Sequence, residues 1–128
     1  MIQLLFIAGG GALGSVLRYL AAGWGQRLTP GVFPLGTLLV NLSGCLAIGY
    51  LATLFAGPAV VREEYRLALL IGFLGGFTTF STFGYESFSL LSDREWGLAG
   101  VNLIASNLLG LAAVWLGHRL ALAQGSLG

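Results

Sequence analysis

The sequence predicts an all-α integral membrane protein of four transmembrane helices, with the third helix broken near mid-membrane and two chains paired as an antiparallel, dual-topology dimer. Three observations predict it. Hydrophobic residues make up 56% of the 128 positions and charged residues only 9%, where a soluble domain carries about 25% charged. The few charges bound four long apolar stretches. The six cations, all arginine, divide almost evenly between the two ends of those stretches.

A membrane helix needs roughly 20 mostly apolar residues. The first span is read at 2–24, with Arg18 inside it, and its start lacks the basic region of a cleavable signal peptide. The second is read at 32–55, entered through Pro30 and Pro34. The third covers 65–91 and the fourth 96–122, so residues 1–128 form one four-helix domain. Arg62-Glu63-Glu64 marks one turn and Ser92-Asp93-Arg94-Glu95 another. Ser92 and Glu95 have the spacing of a capping box at the start of the fourth helix. Trp24 and Trp96 fall at one interface, Tyr65 and Trp115 near the other, as an aromatic belt requires.

Four spans put both termini and the middle turn on one side. That side holds Arg62, Arg66 and Arg119; the other holds Arg27 and Arg94, with Arg18 near it. Orientation follows an excess of positive residues on the cytoplasmic side, and here there is almost none. The chain is therefore expected to insert both ways, and opposite copies that pair form an inverted repeat built from two chains. The alternative is a single orientation fixed by something else. Membrane lipid is the remaining partner. A net charge of +1 supplies no basic patch, so nucleic acid is excluded.

Glycine supports close helix packing. Gly10/Gly14 and Gly72/Gly76 have the four-residue spacing that lets membrane helices approach. Gly9, Gly11 and Gly14 also match a dinucleotide-binding pattern, but no strand precedes them and no acidic residue follows at the required distance.

The third span contains Gly75-Gly76-Phe77-Thr78-Thr79-Phe80-Ser81-Thr82-Phe83. Paired glycines followed by hydroxyl residues make a poor continuous helix, which predicts a break near Gly75 to Thr79. A break frees carbonyls from the first half and amides from the second. Where two breaks meet on a dimer axis, two carbonyls from each chain can hold one sodium ion. Alternatively the freed groups are satisfied by neighbouring hydroxyls. Phe80 and Phe83 share a helix face. Their electropositive ring edges suit a small anion, although phenylalanines at this spacing ordinarily pack or face lipid.

Asn41 is an amide inside the second span, able to donate to an anion or to join helices. Asn102 and Ser106 form a polar stripe on the fourth span, facing either water or another helix. Arg18 either makes a vestibule attractive to anions or snorkels to the interface. Glu86 is assigned a structural role with hydroxyl or amide partners, and His118 reads as interfacial. Cys45 is the lone cysteine, so there is neither a disulfide framework nor a thiolate metal site.

These residues resemble the Fluc fluoride channels, also called CrcB proteins. The resemblance rests on Gly9-Gly10-Gly11-Ala12-Leu13-Gly14-Ser15-Val16-Leu17-Arg18-Tyr19, on Gly36-Thr37-Leu38-Leu39-Val40-Asn41-Leu42-Ser43-Gly44, on the run from Gly72 to Phe83, and on Ser106 with Gly110. It implies a dual-topology homodimer in the bacterial inner membrane with two fluoride pores along its sides. It also implies a structural sodium held by the backbone carbonyls of Gly75 and Thr78. By motif position Phe80, Phe83, Asn41 and Ser106 are pore residues, Ser81 and Thr82 a hydroxyl pair beside the pore, and Arg18 the vestibule arginine. Asn102 stands where many members carry a tyrosine, and keeps a polar group there. The expected activity is passive fluoride export that lowers fluoride toxicity.

The rival reading is a small proton-coupled multidrug antiporter, also four helices with dual topology. It needs a carboxylate in the first span, which has none. A purely structural protein would account for the glycines but not for polar groups on three helices. An enzyme is not expected, because no nucleophile–base pair or histidine cluster is present.

Overall fold

In the computed structural model, which describes residues 1–58 and 60–125, sparse charge and long apolar runs give four helical passes. They are α1 (Ile2–Leu28), α2 (Leu35–Ala56), a segmented third pass over Glu63–Ser92, and α6 (Trp96–Gly125). All four are long and apolar enough to cross a membrane. The chain is accordingly a multi-pass membrane protein.

The third pass runs through α3 (Glu63–Leu67), a π-helical segment (Ala68–Phe73), α4 (Leu74–Phe77) and α5 (Phe80–Ser92). Successive passes alternate in direction. Gly36 near the start of α2 meets Ala22 near the end of α1. Phe6 of α1 stacks edge-on against Tyr65 of α3, with ring centroids 5.5 Å apart, so these two passes run parallel. α2 and α6 also run parallel: Gly49 lies against Val114, Thr53 bonds His118, and Tyr50 bonds Gln124.

Backbone meets backbone wherever a side chain is missing. A methyl group at Gly10 would strike the Ala68 carbonyl, one at Gly14 the Phe73 carbonyl, and one at Gly76 the Gly11 carbonyl. Both four-residue glycine pairs thus serve one seam between α1 and the π-helical segment with α4, as close packing of small residues predicts. Gly49 and Gly117 do the same for α2 on α6, the most extensive helix pair.

The interior is small. Val40, Leu74, Ala99 and Asn102 are nearly inaccessible, while large apolar residues such as Leu5, Tyr19, Leu111 and Trp115 are exposed along the outside. A chain folded in lipid gains little from hiding apolar groups, so packing and hydrogen bonding decide what lies inside.

The α2 helix starts at Leu35, after a turn held by Gln26. Its Nε2 donates to the Gly31 and Phe33 carbonyls, and its Oε1 accepts from the Gly36 amide. The Ser92–Glu95 capping box does not form: Ser92 ends α5, and α6 begins only at Trp96. Arg94 takes a left-handed conformation, φ 61°. Its amide donates to the Leu91 carbonyl and the Glu95 amide to the Leu90 carbonyl. That pattern is a Schellman end to α5, and it uses the Glu95 backbone where a capping box would have used Ser92.

Candidate functional site

The third pass changes course at Thr78 and Thr79. Thr78 turns both its amide and its hydroxyl onto the Leu74 carbonyl, each at 2.9 Å, which closes α4. Thr78 (φ −85°, ψ 160°) and Thr79 (φ −150°, ψ 119°) are both extended. Thr79 then caps α5, its Oγ1 accepting from the Thr82 amide at 3.2 Å. In an uninterrupted helix the Thr82 amide would donate to the Thr78 carbonyl and the Thr79 amide to the Gly75 carbonyl. Here the first goes to the Thr79 hydroxyl and the second to Asn41 Oδ1 at 2.8 Å. The carbonyls of Gly75 and Thr78 therefore both lose their helical donors.

Two side chains from other passes close on these residues. Asn41 of α2 grips Thr79 at both backbone groups, with Nδ2 donating to its carbonyl at 2.9 Å. Arg18 of α1 donates from Nη1 to the Thr78 carbonyl at 3.2 Å. Gly44 of α2 leaves room for the Thr78 methyl group, which would collide with any Cβ there.

A groove of about 390 Å³ opens beside this point. Asn41, Gly75, Thr78, Phe80, Phe83 and Ser106 all line it. The rings of Phe80 and Phe83 are 5.7 Å apart and inclined at 47°. Phe83 is buried, whereas Phe80 is 84% exposed and projects from the protomer.

Other candidates lie elsewhere. Ser81 and Thr82 are exposed and cluster on the Thr79 hydroxyl, which donates to Thr82 Oγ1 at 3.0 Å and lies 3.5 Å from Ser81 Oγ. Neither lines the groove. Asn102 is buried and faces a helix: its Nδ2 donates to Ser87 Oγ at 2.9 Å, and Ser87 donates to the Phe83 carbonyl at 2.7 Å. Ser106 reaches Asn102 Oδ1 at 3.5 Å, so a polar chain runs from the groove to the base of Phe83. Glu86 accepts from Thr37 at 2.7 Å, the hydroxyl partner expected of it. Its second oxygen is buried without a partner among the described residues.

Sequence reasoning missed two features. Thr79 is the hub of the site, and a threonine just before a resumed helix was its available signal. The π-helical segment, where the Leu74 amide reaches the Leu69 carbonyl, has no comparable signature; such segments occur often near functional sites.

Residues 5–118 match the family described as CrcB-like protein, Camphor Resistance (CrcB). Among curated relatives, the chain is 48% identical over 117 residues to a protein of Geobacter metallireducens named fluoride-specific ion channel FluC, covering 91% of this chain and 94% of that one. It is 47% identical over 125 residues to a protein of the same name from Opitutus terrae, covering 96% and 95%. A Rhizobium johnstonii protein of that name is 48% identical over 117 residues, with 91% and 94% covered.

Proposed function

The chain belongs to the CrcB-like family, and from that membership we propose that it is a passive, fluoride-selective channel exporting fluoride from the cytoplasm. The observation that carries this reading is near-full-length similarity to relatives named fluoride-specific ion channels. The names of the three relatives point to a channel and not to an antiporter or an enzyme.

Fluoride crosses membranes as neutral HF and ionises in the more neutral cytoplasm, where it is trapped. An open pore is enough to remove it, because a negative interior favours anion exit by about 2.3 kcal/mol per 100 mV. The obstacle is desolvation of a small, strongly hydrated anion. Phe80 and Phe83 offer positive ring edges that attract it without binding it as a full charge would. Asn41 has a second amide hydrogen beyond the one on Thr79. Ser106 adds a hydroxyl on the groove, Ser81 and Thr82 stand behind the Thr79 hydroxyl, and Asn102 backs Ser106 from within the bundle. Arg18, a cation well inside the first pass, lends the region a positive potential that draws anions. Conduction requires that each contact stay weak enough to release the ion.

The working unit is a dual-topology homodimer in the bacterial inner membrane, with lipid around it and the break near mid-membrane. The arginine balance supports this, as does Phe80, which protrudes into space that a second copy can fill. A structural sodium on the dimer axis fits the residues present. The Gly75 and Thr78 carbonyls have lost their helical donors, and hard oxygen ligands suit a hard cation. Gly75 is exposed, and a Cβ there would meet nothing in its own protomer. Those carbonyls, one pair from each chain, would hold the ion and tie the two breaks together.

The test is fluoride efflux from liposomes carrying purified protein, read with a fluoride electrode beside a chloride control. Rapid fluoride release with negligible chloride release is the expected result. No fluoride release from verified dimers in sodium would overturn the channel reading.

A further inference from the structure

The guanidinium of Arg18 and the proposed central cation call on the same oxygen. Arg18 Nη1 already donates to the Thr78 carbonyl at 3.2 Å, across 60 residues of chain. The contact is partly buried, and an arginine cannot shed its charge in a protein. No carboxylate neutralises it: among the described residues the one ion pair joins Arg62 and Glu64. Glu86, a carboxylate of α5, is engaged with Thr37 instead.

A carbonyl oxygen has two lone pairs, so it can accept from a guanidinium and touch a metal ion at once. A cation on oxygen ligands sits about 2.4 Å from each of them. Two positive charges on the Thr78 oxygen would then lie no more than about 6 Å apart, a range in which like charges strongly disfavour one another. In a low-dielectric, water-poor setting that repulsion is stronger than at a wet surface. The same arginine also holds the carbonyl in place, so its removal alters both charge and geometry.

We propose that Arg18 opposes the central cation at the Thr78 carbonyl, and so sets the sodium concentration that the assembled channel requires. Arg18 is thereby a positioning and tuning residue for the cation site, acting through the Thr78 oxygen. The inference rests on the structural-sodium reading of the dimer axis. It would link the anion-attracting charge of the first span to the stability of the dimer, since one guanidinium serves the first and opposes the second.

The test compares dimer stability with sodium concentration for the unchanged protein and for Arg18→Gln, Arg18→Met and Arg18→Lys. N-methylglucamine replaces sodium to hold ionic strength constant, and thermal unfolding with dimer fraction is the readout, independent of flux. The neutral variants R18Q and R18M are expected to reach half-maximal stabilisation at about tenfold less sodium, because a repulsive charge has been removed. R18K keeps the charge and should stay within about twofold of the unchanged protein. Equal sodium midpoints for unchanged, R18Q and R18M proteins would overturn the inference while leaving the cation reading intact. Neutral variants that assemble at no sodium concentration would make Arg18 a strut, and would overturn it too. An unchanged dimer indifferent to sodium, lithium and potassium would overturn the cation reading and this inference together.

Discussion

Both ends of the Asn41 amide close on Thr79, and that pairing is what lets two extended residues exist inside a helical pass. A buried backbone group without a partner costs about 1–3 kcal/mol. Asn41→Ala strips the partner from the Thr79 amide and carbonyl together, so it should lower stability by roughly 2–4 kcal/mol, read by thermal unfolding in micelles. The two phenylalanines separate structure from conduction. Phe83 is buried, so Phe83→Ile should cost about 1 kcal/mol in the fold. Phe80 is exposed in the protomer, so Phe80→Ile should alter protomer stability by less than about 0.5 kcal/mol. Both should slow fluoride efflux at least about tenfold, a barrier change of about 1.4 kcal/mol. Unchanged efflux from purified dimers of both variants would remove the rings from the mechanism. Phe80 and Phe83 were legible at three-residue spacing. The capping role of Thr79 had a local signal, but its pairing with Asn41 did not, because that partner lies 38 residues away.

Among the elements, the third pass departs furthest from a simple helix, and its two irregularities have different origins. The interruption at Thr78 and Thr79 follows from local chemistry: paired glycines weaken the helix, and the Thr78 hydroxyl bonds back to the Leu74 carbonyl. The π-helical segment accompanies a seam in which Gly10 admits the Ala68 carbonyl against α1. Gly14→Ala would drive a methyl group into the Phe73 backbone, and overpacking of this kind costs about 1–3 kcal/mol or more. Gly9→Ala, on the same helix but facing open space, should change stability by less than about 0.5 kcal/mol. Equal effects of the two on thermal unfolding would mean that the seam does not bear on stability. The α5–α6 turn carries a related lesson. Ser92 and Glu95 matched a helix-start pattern, yet the end of α5 claimed the Glu95 amide first.

For the whole molecule, the balance of arginines bears on how the chain enters the membrane. If both orientations are needed, shifting that balance should disable the channel without touching its site. Thr29→Lys with Ser92→Lys adds charge to one end; Gln3→Lys with Glu63→Lys adds it to the other. Each pair alone should abolish protection of cells against fluoride, and co-expression of the two should restore it. Full protection from either pair alone would show that one orientation suffices. The exposed apolar surface fits this scale as well. In a membrane, apolar residues on the outside of a bundle are not penalised, so burial within one chain says little about their importance.

The sequence by itself determined the solvent, the number of passes and the glycine seam. Each of these depends on residue type and short spacing, which act locally on hydropathy and helix propensity. The tertiary structure decided which groups answer one another across the bundle: Arg18 with Thr78, Asn41 with Thr79, Asn102 with Ser87, and Thr37 with Glu86. Those pairings join residues 15 to 60 positions apart, and no local pattern encodes a distance set by how whole helices pack. In an apolar medium an unpaired polar group is costly, so the bundle settles where these few side chains meet.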